Sequence, residues 1–367
     1  MKGACVRLED IGWNEFFASQ VSIIDALFVP ARITEESKGF HRVRTPGAEY
    51  LAELAGKLRH HAANTGDPAA LPAVGDWVLI SPRPAESRAR IERVLARRTK
   101  LSRKVAGRAF REQIVAANLD VVFVTSALNR DFNPRRIERY LALVWESGAR
   151  PVILLNKSDL RSASEAAALA FETETIAPGV PVHLISALNP ADPSLDAIRS
   201  HLISGQTAAF IGSSGVGKST LINALTGAHS LATQPVRPSD DRGRHTTTSR
   251  QMILLPNGGI VIDTPGMREL QLWDSEDGVA QAFDDIASLA ARCKFRDCTH
   301  HREPGCAVAA AITAGSLDPA RLENLRKLEA ELAFQQRKAD PALAAENRQR
   351  WKKIHKAQRD SYRLRPK

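Results

Sequence analysis

The run Gly212-Ser213-Ser214-Gly215-Val216-Gly217-Lys218-Ser219-Thr220 constrains this chain more than any other stretch. It follows an apolar segment, Ala208-Ala209-Phe210-Ile211, and opens into Leu221-Ile222-Asn223-Ala224-Leu225, whose texture is helical. Strand, glycine-rich turn, Gly-Lys-Ser and helix in that order form a phosphate-binding loop. The glycines let successive backbone N–H groups point at a diphosphate. The new helix adds its positive end, Lys218 reaches the terminal phosphates, and the Ser219 hydroxyl can ligate Mg²⁺. The expectation is binding of a nucleoside triphosphate.

The surroundings of that loop read as α/β. Apolar runs at Asp120–Thr125, Pro151–Leu155, Pro181–Ile185, Ala208–Ile211, Met252–Leu255 and Gly259–Ile262 predict strands. Between them, Pro134–Glu146 carries Ile137, Tyr140, Leu141 and Val144 on one helical face, and Glu165–Glu174 is Ala-rich and helical. Strands alternating with helices predict a mostly parallel sheet covered on both faces.

Upstream, from about Leu27 to Leu101, short β-like runs alternate with turn residues: Ala31–Ile33, His41–Arg44, Asp76–Ile80 and Ala89–Val94. This predicts a small β-barrel, OB-like by first preference, although an SH3-like barrel reads much the same. Before it lies a helical or irregular lead-in with two buried aromatics in Trp13–Phe17. After it, Arg97, Arg98, Lys100, Arg103, Lys104, Arg108 and Arg111 form a basic connector, read as an RNA contact in preference to a solvated linker.

The rest of the nucleotide chemistry falls on either side of the phosphate loop. Val261-Ile262-Asp263-Thr264-Pro265-Gly266 places an acid at a strand end to hold the Mg²⁺ shell, and a Gly266 N–H that can sense a γ-phosphate. Between the two motifs, Arg242-Gly243-Arg244-His245-Thr246-Thr247-Thr248 has the composition of a switch. Thr247 is the preferred second Mg²⁺ ligand, with Thr246 and Thr248 open. The base reader lies upstream, in Asn156-Lys157-Ser158-Asp159. Asp159 can accept from guanine N1–H and the exocyclic amine, Asn156 can address the other edge, and the Lys157 stem can cover the face. Adenine offers no such donor pair, so GTP is selected over ATP. Ser186-Ala187 after the third strand can give an N–H to guanine O6.

Base reader before phosphate loop is a circularly permuted order, tolerable because domain termini usually lie close together. It leads the segment after Gly266 straight into the C-terminal region, so movement of the switch can be passed there. Met267 stands where many GTPases have a water-orienting glutamine. A thioether cannot do that work, so slow intrinsic hydrolysis is expected. His245 is the nearest in-chain candidate to position the water, a surface histidine without catalytic role being the other reading.

From about Trp273 the chain reads as helical and ends in a basic tail containing Trp351, Ile354 and Tyr362. Three of the four cysteines cluster there, as Cys293-x4-Cys298-x-His300-x5-Cys306. Three thiolates and an imidazole suit a closed, structural Zn²⁺ site, with His301 a rival for the fourth position. Cys5 reads as an incidental thiol. The divisions predicted are a lead-in over 1–30, an OB-like barrel over 31–105, a permuted GTPase domain over 106–272 and a helical zinc domain with its tail over 273–367.

Taken together these motifs resemble the RsgA/YjeQ family, the ribosome small-subunit-dependent GTPases. The resemblance rests on Asn156-Lys157-x-Asp159, Gly212–Thr220, Gly243–Thr248 and Asp263–Gly266 in permuted order, and on the Cys293/Cys298/His300/Cys306 spacing. Gly75-Asp76-Trp77-Val78, Ala116–Asp120 and Asp131–Tyr140 add to it. It implies an N-terminal OB barrel, a permuted GTPase domain and a C-terminal zinc domain. The implied activity is GTP hydrolysis with Mg²⁺, stimulated by the small ribosomal subunit, during late maturation of that subunit and release of other assembly factors. Family members share the hydrophobic replacement at Met267, and a switch histidine matching His245 has been proposed as catalytic.

The net charge of +10 over 367 residues suits a polyanionic partner such as rRNA. No apolar stretch near 18 residues and no leader is seen, so a cytoplasmic protein without a membrane partner is expected, and nothing asks for more than a monomer. Two rival readings are an rRNA-binding placeholder whose GTP state only sets affinity, and a permuted GTPase of the large subunit.

Overall fold

The computed structural model describes residues 6–37, 40–65, 70–104, 112–130, 132–227, 250–264, 276–301 and 303–339. The first ordered element, α1 (Glu15–Ala18), is capped by Asn14, whose side chain accepts from the Phe16 N–H. Ile11 and Phe17 pack on Trp77, Leu79 and Leu95 and cover one side of the barrel that follows. Of the lead-in aromatics only Phe17 is fully buried. Trp13 lies edge-on to Trp77 at 4.7 Å, and Phe16 is exposed.

That barrel consists of β1 (Val29–Ser37), β2 (Phe40–Arg44), β3 (Glu49–Leu54), β4 (Trp77–Arg83) and β5 (Arg88–Val94), with α2 (Gly56–Thr65) between β3 and β4. Strands run in the order β1-β2-β3-β5-β4, and β4 pairs back onto β1 to close the ring. β3 and β5 are parallel and the other neighbours antiparallel. This is the OB topology, which decides between the two barrels that the sequence left open. The sequence had signalled four of these strands. β3 has the burial of a barely covered strand, with only Ala52 fully buried, so it carries no strong alternation.

One buried cation joins three segments. Arg32 on β1 donates to the carbonyls of Ile11 (2.5 Å), Gly75 (3.2 Å) and Asn118 (3.3 Å), and its guanidinium lies 5.7 Å from the Trp77 ring centroid. Desolvation pulls its pKa down to about 10, so it stays charged at neutral pH.

Next come β6 (Lys100–Lys104) and β7 (Glu112–Ala117), an antiparallel pair outside the main sheet. Much of the expected basic connector is therefore structure. Arg97 pairs with buried Asp76 at 2.6 Å, Arg98 pairs with Asp120, and Lys100 pairs with Glu112 at 2.8 Å. These cations are paired with the protein's own carboxylates, Arg98 and Lys100 while remaining partly exposed. Arg108 and Arg111 lie outside the described residues.

The α/β part comprises β8 (Val121–Ala127), α3 (Pro134–Ser147), β9 (Arg150–Asn156), α4 (Ala163–Ile176), β10 (Val182–Ile185), α5 (Leu195–Ser200), β11 (Thr207–Ile211), α6 (Lys218–Thr226), β12 (Arg250–Leu254) and β13 (Ile260–Asp263). Its strands run β10-β9-β8-β11-β13-β12, parallel except for β12. Side chains alternate between two cores: Val122, Val124, Ile153 and Leu155 face α3 and α4, while Val121, Phe123, Val152 and Leu154 face α5 and α6. β12 also pairs with β1 of the barrel (Glu35↔Gln251, Glu36↔Arg250), so one sheet runs through both units. An Arg250–Glu36 ion pair at 2.9 Å reinforces the join.

The C-terminal part is helical: α7 (Glu276–Ala282), α8 (Asp284–Ala290), α9 (Ala307–Thr313) and α10 (Pro319–Ala339). α7 lies so close on α3 that a Cβ at Gly278 would meet the Ala142 carbonyl oxygen at 2.4 Å. No helix among the described residues is long and apolar enough to cross a membrane.

Candidate nucleotide site and metal cluster

The predicted nucleotide-binding residues that the structure describes gather at the carboxyl ends of the parallel strands. Asn156–Asp159 follow β9, Ser186-Ala187 follow β10, Gly212–Thr220 follow β11, and Asp263 closes β13. Strand order reverses between β8 and β11, and ligands of open α/β sheets bind at that reversal.

In the phosphate loop Gly212 holds φ +147°, and a Cβ there would sit 2.1 Å from the Thr125 carbonyl oxygen of β8. Only glycine lets the loop leave β11 against its neighbour strand. Lys218 begins α6, and its ammonium donates to the carbonyls of Gly212 and Ser213, both at 2.7 Å. It thus curls back over its own loop, where a phosphate can exchange for those carbonyls. Ser219 is half-buried and Thr220 exposed in the first turn of α6.

The base-reading residues are tied to that loop and to one another. The Asn156 side chain is buried and spends an amide hydrogen on the Val216 carbonyl at 2.7 Å. Sequence reasoning gave Asn156 only to the base edge; the structure adds a brace between the two loops. Lys157 takes a left-handed conformation, φ +61°, and turns the chain into the short 3-10 segment Ser158–Leu160. The exposed Asp159 carboxylate accepts from the Ser186 hydroxyl at 2.8 Å, and the Ser186 N–H donates to Ser194 Oγ at 3.1 Å. A carboxylate held from one side by a hydroxyl, its other lone pairs toward solvent, suits two N–H donors on one base edge. Thr264 Oγ1 is buried with no hydrogen-bond partner among the described residues. His245, Thr247, Gly266 and Met267, with the rest of the switch, lie outside the described residues.

For Mg²⁺ the chemistry of the donors fits: a hydroxyl in the first turn of α6 and a carboxylate at the end of β13. Ser219 and Asp263 would hold the ion, which would supply positive charge against the phosphates.

Cys293, Cys298, His300 and Cys306 converge, their ligand atoms all within 4.8 Å of one another. Cys293 Sγ lies 3.9 Å from Cys306 Sγ and 3.6 Å from His300 Nδ1, and Cys306 Sγ lies 3.5 Å from that nitrogen. Metal–sulfur and metal–nitrogen bonds of about 2.3 and 2.0 Å in a tetrahedron give edges of about 3.5–3.8 Å, so the donor set fits Zn²⁺ with no position open for substrate. His300 is the histidine whose ring nitrogen joins the three thiols, reached through a left-handed backbone, φ +59°. Glu303 fastens the ligand loop by accepting from the Thr299 hydroxyl and from the N–H groups of Thr299 and His301. Those bonds, the Thr299 hydroxyl first, pull its carboxyl down to about 2.

Sequence reasoning missed what holds this zinc-site region to α3. Glu138, fully buried, accepts from Arg321 (2.7 Å), Arg135 (2.6 Å) and Asn324 (2.5 Å). Burial pushes its carboxyl up against the pull of the two guanidiniums. Arg321 also grips Asp285 at 2.7 and 2.9 Å and stacks on Phe283, and Arg139 makes two bonds to Glu331. The signal lay in Arg135-Arg136-x-Glu138-Arg139, an unusual charge density for a helix flanked by core, but the C-terminal partners of Arg135, Glu138 and Arg139 are more than 180 residues away.

A five-stranded OB barrel joined to a permuted phosphate-loop domain with a guanine reader, followed by a Cys₃His module, defines a circularly permuted GTPase. Residues 94–273 match the family model described as RsgA GTPase. The small ribosomal subunit biogenesis GTPase RsgA of Opitutus terrae is 45% identical over 98% of this chain and 99% of its own length. The protein of that name from Methanosarcina acetivorans is 44% identical over 94% and 90%. Among solved structures, YjeQ from Thermotoga maritima superposes with a TM-score of 0.63 at 25% identity, covering 83% of this chain and 99% of that one. YloQ, described as a circularly permuted GTPase, gives 0.60 at 23% identity, covering 86% and 98%, a likeness of fold. This chain belongs to the RsgA GTPase family and is a GTP hydrolase.

Proposed function

We propose that the protein hydrolyses GTP on the small ribosomal subunit during its late maturation, and that this helps release other assembly factors. The observation that carries the reading is near-full-length identity of 45% to a protein named for biogenesis of that subunit.

In this reading Asn156, Lys157, Ser158 and Asp159, with Ser186 and Ala187, bind guanine. Gly212–Thr220, Asp263 and Gly266 bind the phosphates, with Lys218 neutralising charge and Ser219 and Thr247 holding Mg²⁺. His245 positions the attacking water, the glutamine position being Met267. Cys293, Cys298, His300 and Cys306 hold one structural Zn²⁺. The units are 1–30, 31–105, 106–272 and 273–367, the barrel and the basic tail meeting rRNA. The protein acts as a cytoplasmic monomer without a membrane partner.

Co-sedimentation with separated ribosomal subunits tests the partner. With a non-hydrolysable GTP analogue the protein should migrate with the small subunit and not the large one. Migration with the large subunit would assign it to the other half of the ribosome.

A further inference from the structure

Three arginines occupy the first half of α3, and their partners differ. Arg135 is committed to Glu138 and Asp318, and Arg139 to Glu331. Arg136 has no carboxylate partner among the described residues; its Nη1 donates to the Ser213 hydroxyl of the phosphate loop at 2.9 Å. The Ser213 carbonyl already receives Lys218 Nζ. Two cations therefore converge on one residue of the phosphate loop. The bond crosses from the helix after β8 to the loop after β11, the place where strand order reverses and the ligand crevice opens. A guanidinium with no carboxylate partner among the described residues, bonded to the residue whose carbonyl holds Lys218 Nζ, is available to an anion at the phosphate loop, and its planar fork suits phosphate oxygens.

We propose that Arg136 is an arginine supplied in cis to the terminal phosphate of GTP. In hydrolysis the water oxygen bonds to the γ-phosphorus and the bond to the β–γ bridging oxygen breaks, its electron pair leaving on GDP. The water's protons end on phosphate and solvent. Arg136 neutralises charge on the γ-phosphoryl oxygens during that transfer. GDP lacks the group that Arg136 contacts, so the residue distinguishes the two nucleotides. Because α3 is also the helix that grips the zinc-site region, the same helix meets both the nucleotide and the C-terminal helices.

The inference rests on Gly212–Thr220 being the phosphate loop, and Lys218→Ala tests that separately. The experiment compares single-turnover GTP hydrolysis by the full chain without ribosomes, and affinities for fluorescent GDP and a GTP analogue, in wild type, Arg136→Ala, Arg136→Lys and Lys218→Ala. Arg136→Ala is expected to slow hydrolysis at least 10-fold and to weaken the GTP analogue while leaving GDP affinity within about 3-fold, with Arg136→Lys recovering part of the loss. Unchanged hydrolysis in Arg136→Ala beside a defective Lys218→Ala overturns the proposal. An equal loss for GDP and GTP overturns it too, as that marks a brace for the loop. A Lys218→Ala variant that binds and hydrolyses GTP normally removes the phosphate-loop assignment itself.

Discussion

The buried Glu138 carboxylate on α3 accepts a 2.7 Å hydrogen bond from the guanidinium of Arg321 on α10, 183 residues further along the chain. That contact joins the nucleotide-binding sheet to the zinc-site region, because α3 packs its apolar face on β8 and β9 and its charged face on the C-terminal helices. α3 thus meets the nucleotide-binding sheet on one surface and the C-terminal helices on the other.

Arg321→Met should loosen that joint. Glu138 keeps Arg135 and Asn324 but loses its buried Arg321 bond, and Asp285 loses both of its bonds, so the cost should fall below the about 3–5 kcal/mol of a buried charge left with no partner. The C-terminal helices should become sensitive to protease at denaturant concentrations where the wild type resists, with guanine nucleotide binding retained. Equal protease resistance would mean that apolar packing of α7 on α3 suffices.

Asp159→Asn should exchange the base preference. Losing a charged acceptor for two guanine N–H groups should cost about 1.5–3 kcal/mol, roughly 10- to 150-fold in GTP affinity. Xanthosine triphosphate, whose base edge has an acceptor where guanine has an amine, should bind the variant better than the wild type. Competition binding with both nucleotides reads this directly.

Cys298→Ser, or chelation, should release one Zn²⁺ per chain, measured by elemental analysis. The loop between α8 and α9 should then open to protease, because its other fastenings among the described residues include only short-range bonds, such as those to Glu303 and from the Lys294 N–H to the Gly305 carbonyl, and two Arg326 bonds to the Thr299 and His300 carbonyls. Unchanged protection after metal loss would make the cluster dispensable for the fold.

How much of this was legible beforehand depended on the range of the interactions. The phosphate loop, Asn156–Asp159 and the cysteine spacing are local patterns whose chemistry fixes the spacing, and they were read by residue. β3 and α2 were passed over because their weakly buried surfaces leave little periodicity. Arg136, Glu138 and Glu36 were visible as charges and nothing more. Their partners Ser213, Arg321 and Arg250 lie 77, 183 and 214 residues away, and only the tertiary fold assigns them. The ion pairs of the connector are hidden for the same reason, since only the folded chain brings Asp76 to Arg97 and Asp120 to Arg98.

His183 and His201 bring their Nε2 atoms to 3.0 Å at the β10 edge of the sheet, and partial burial lowers the pKa of each. The His183 charge lowers that of His201 further. A depressed folded pKa means the unfolded chain binds protons first. Their contribution to stability is therefore complete above the ordinary histidine value of about 6.5 and is lost as pH falls through the folded values. Melting between pH 8 and pH 5 should show a decline on the acid side that is shallower in His201→Gln. An identical decline in that variant would place the acid sensitivity elsewhere.

The most direct test of the account is steady-state GTP turnover by the purified protein, alone and with isolated small ribosomal subunits. The account predicts slow turnover alone, a large rise with small subunits, and no rise in Lys218→Ala. Binding to the small subunit with turnover unchanged would contradict it, and would leave a GTP-regulated rRNA binder in its place.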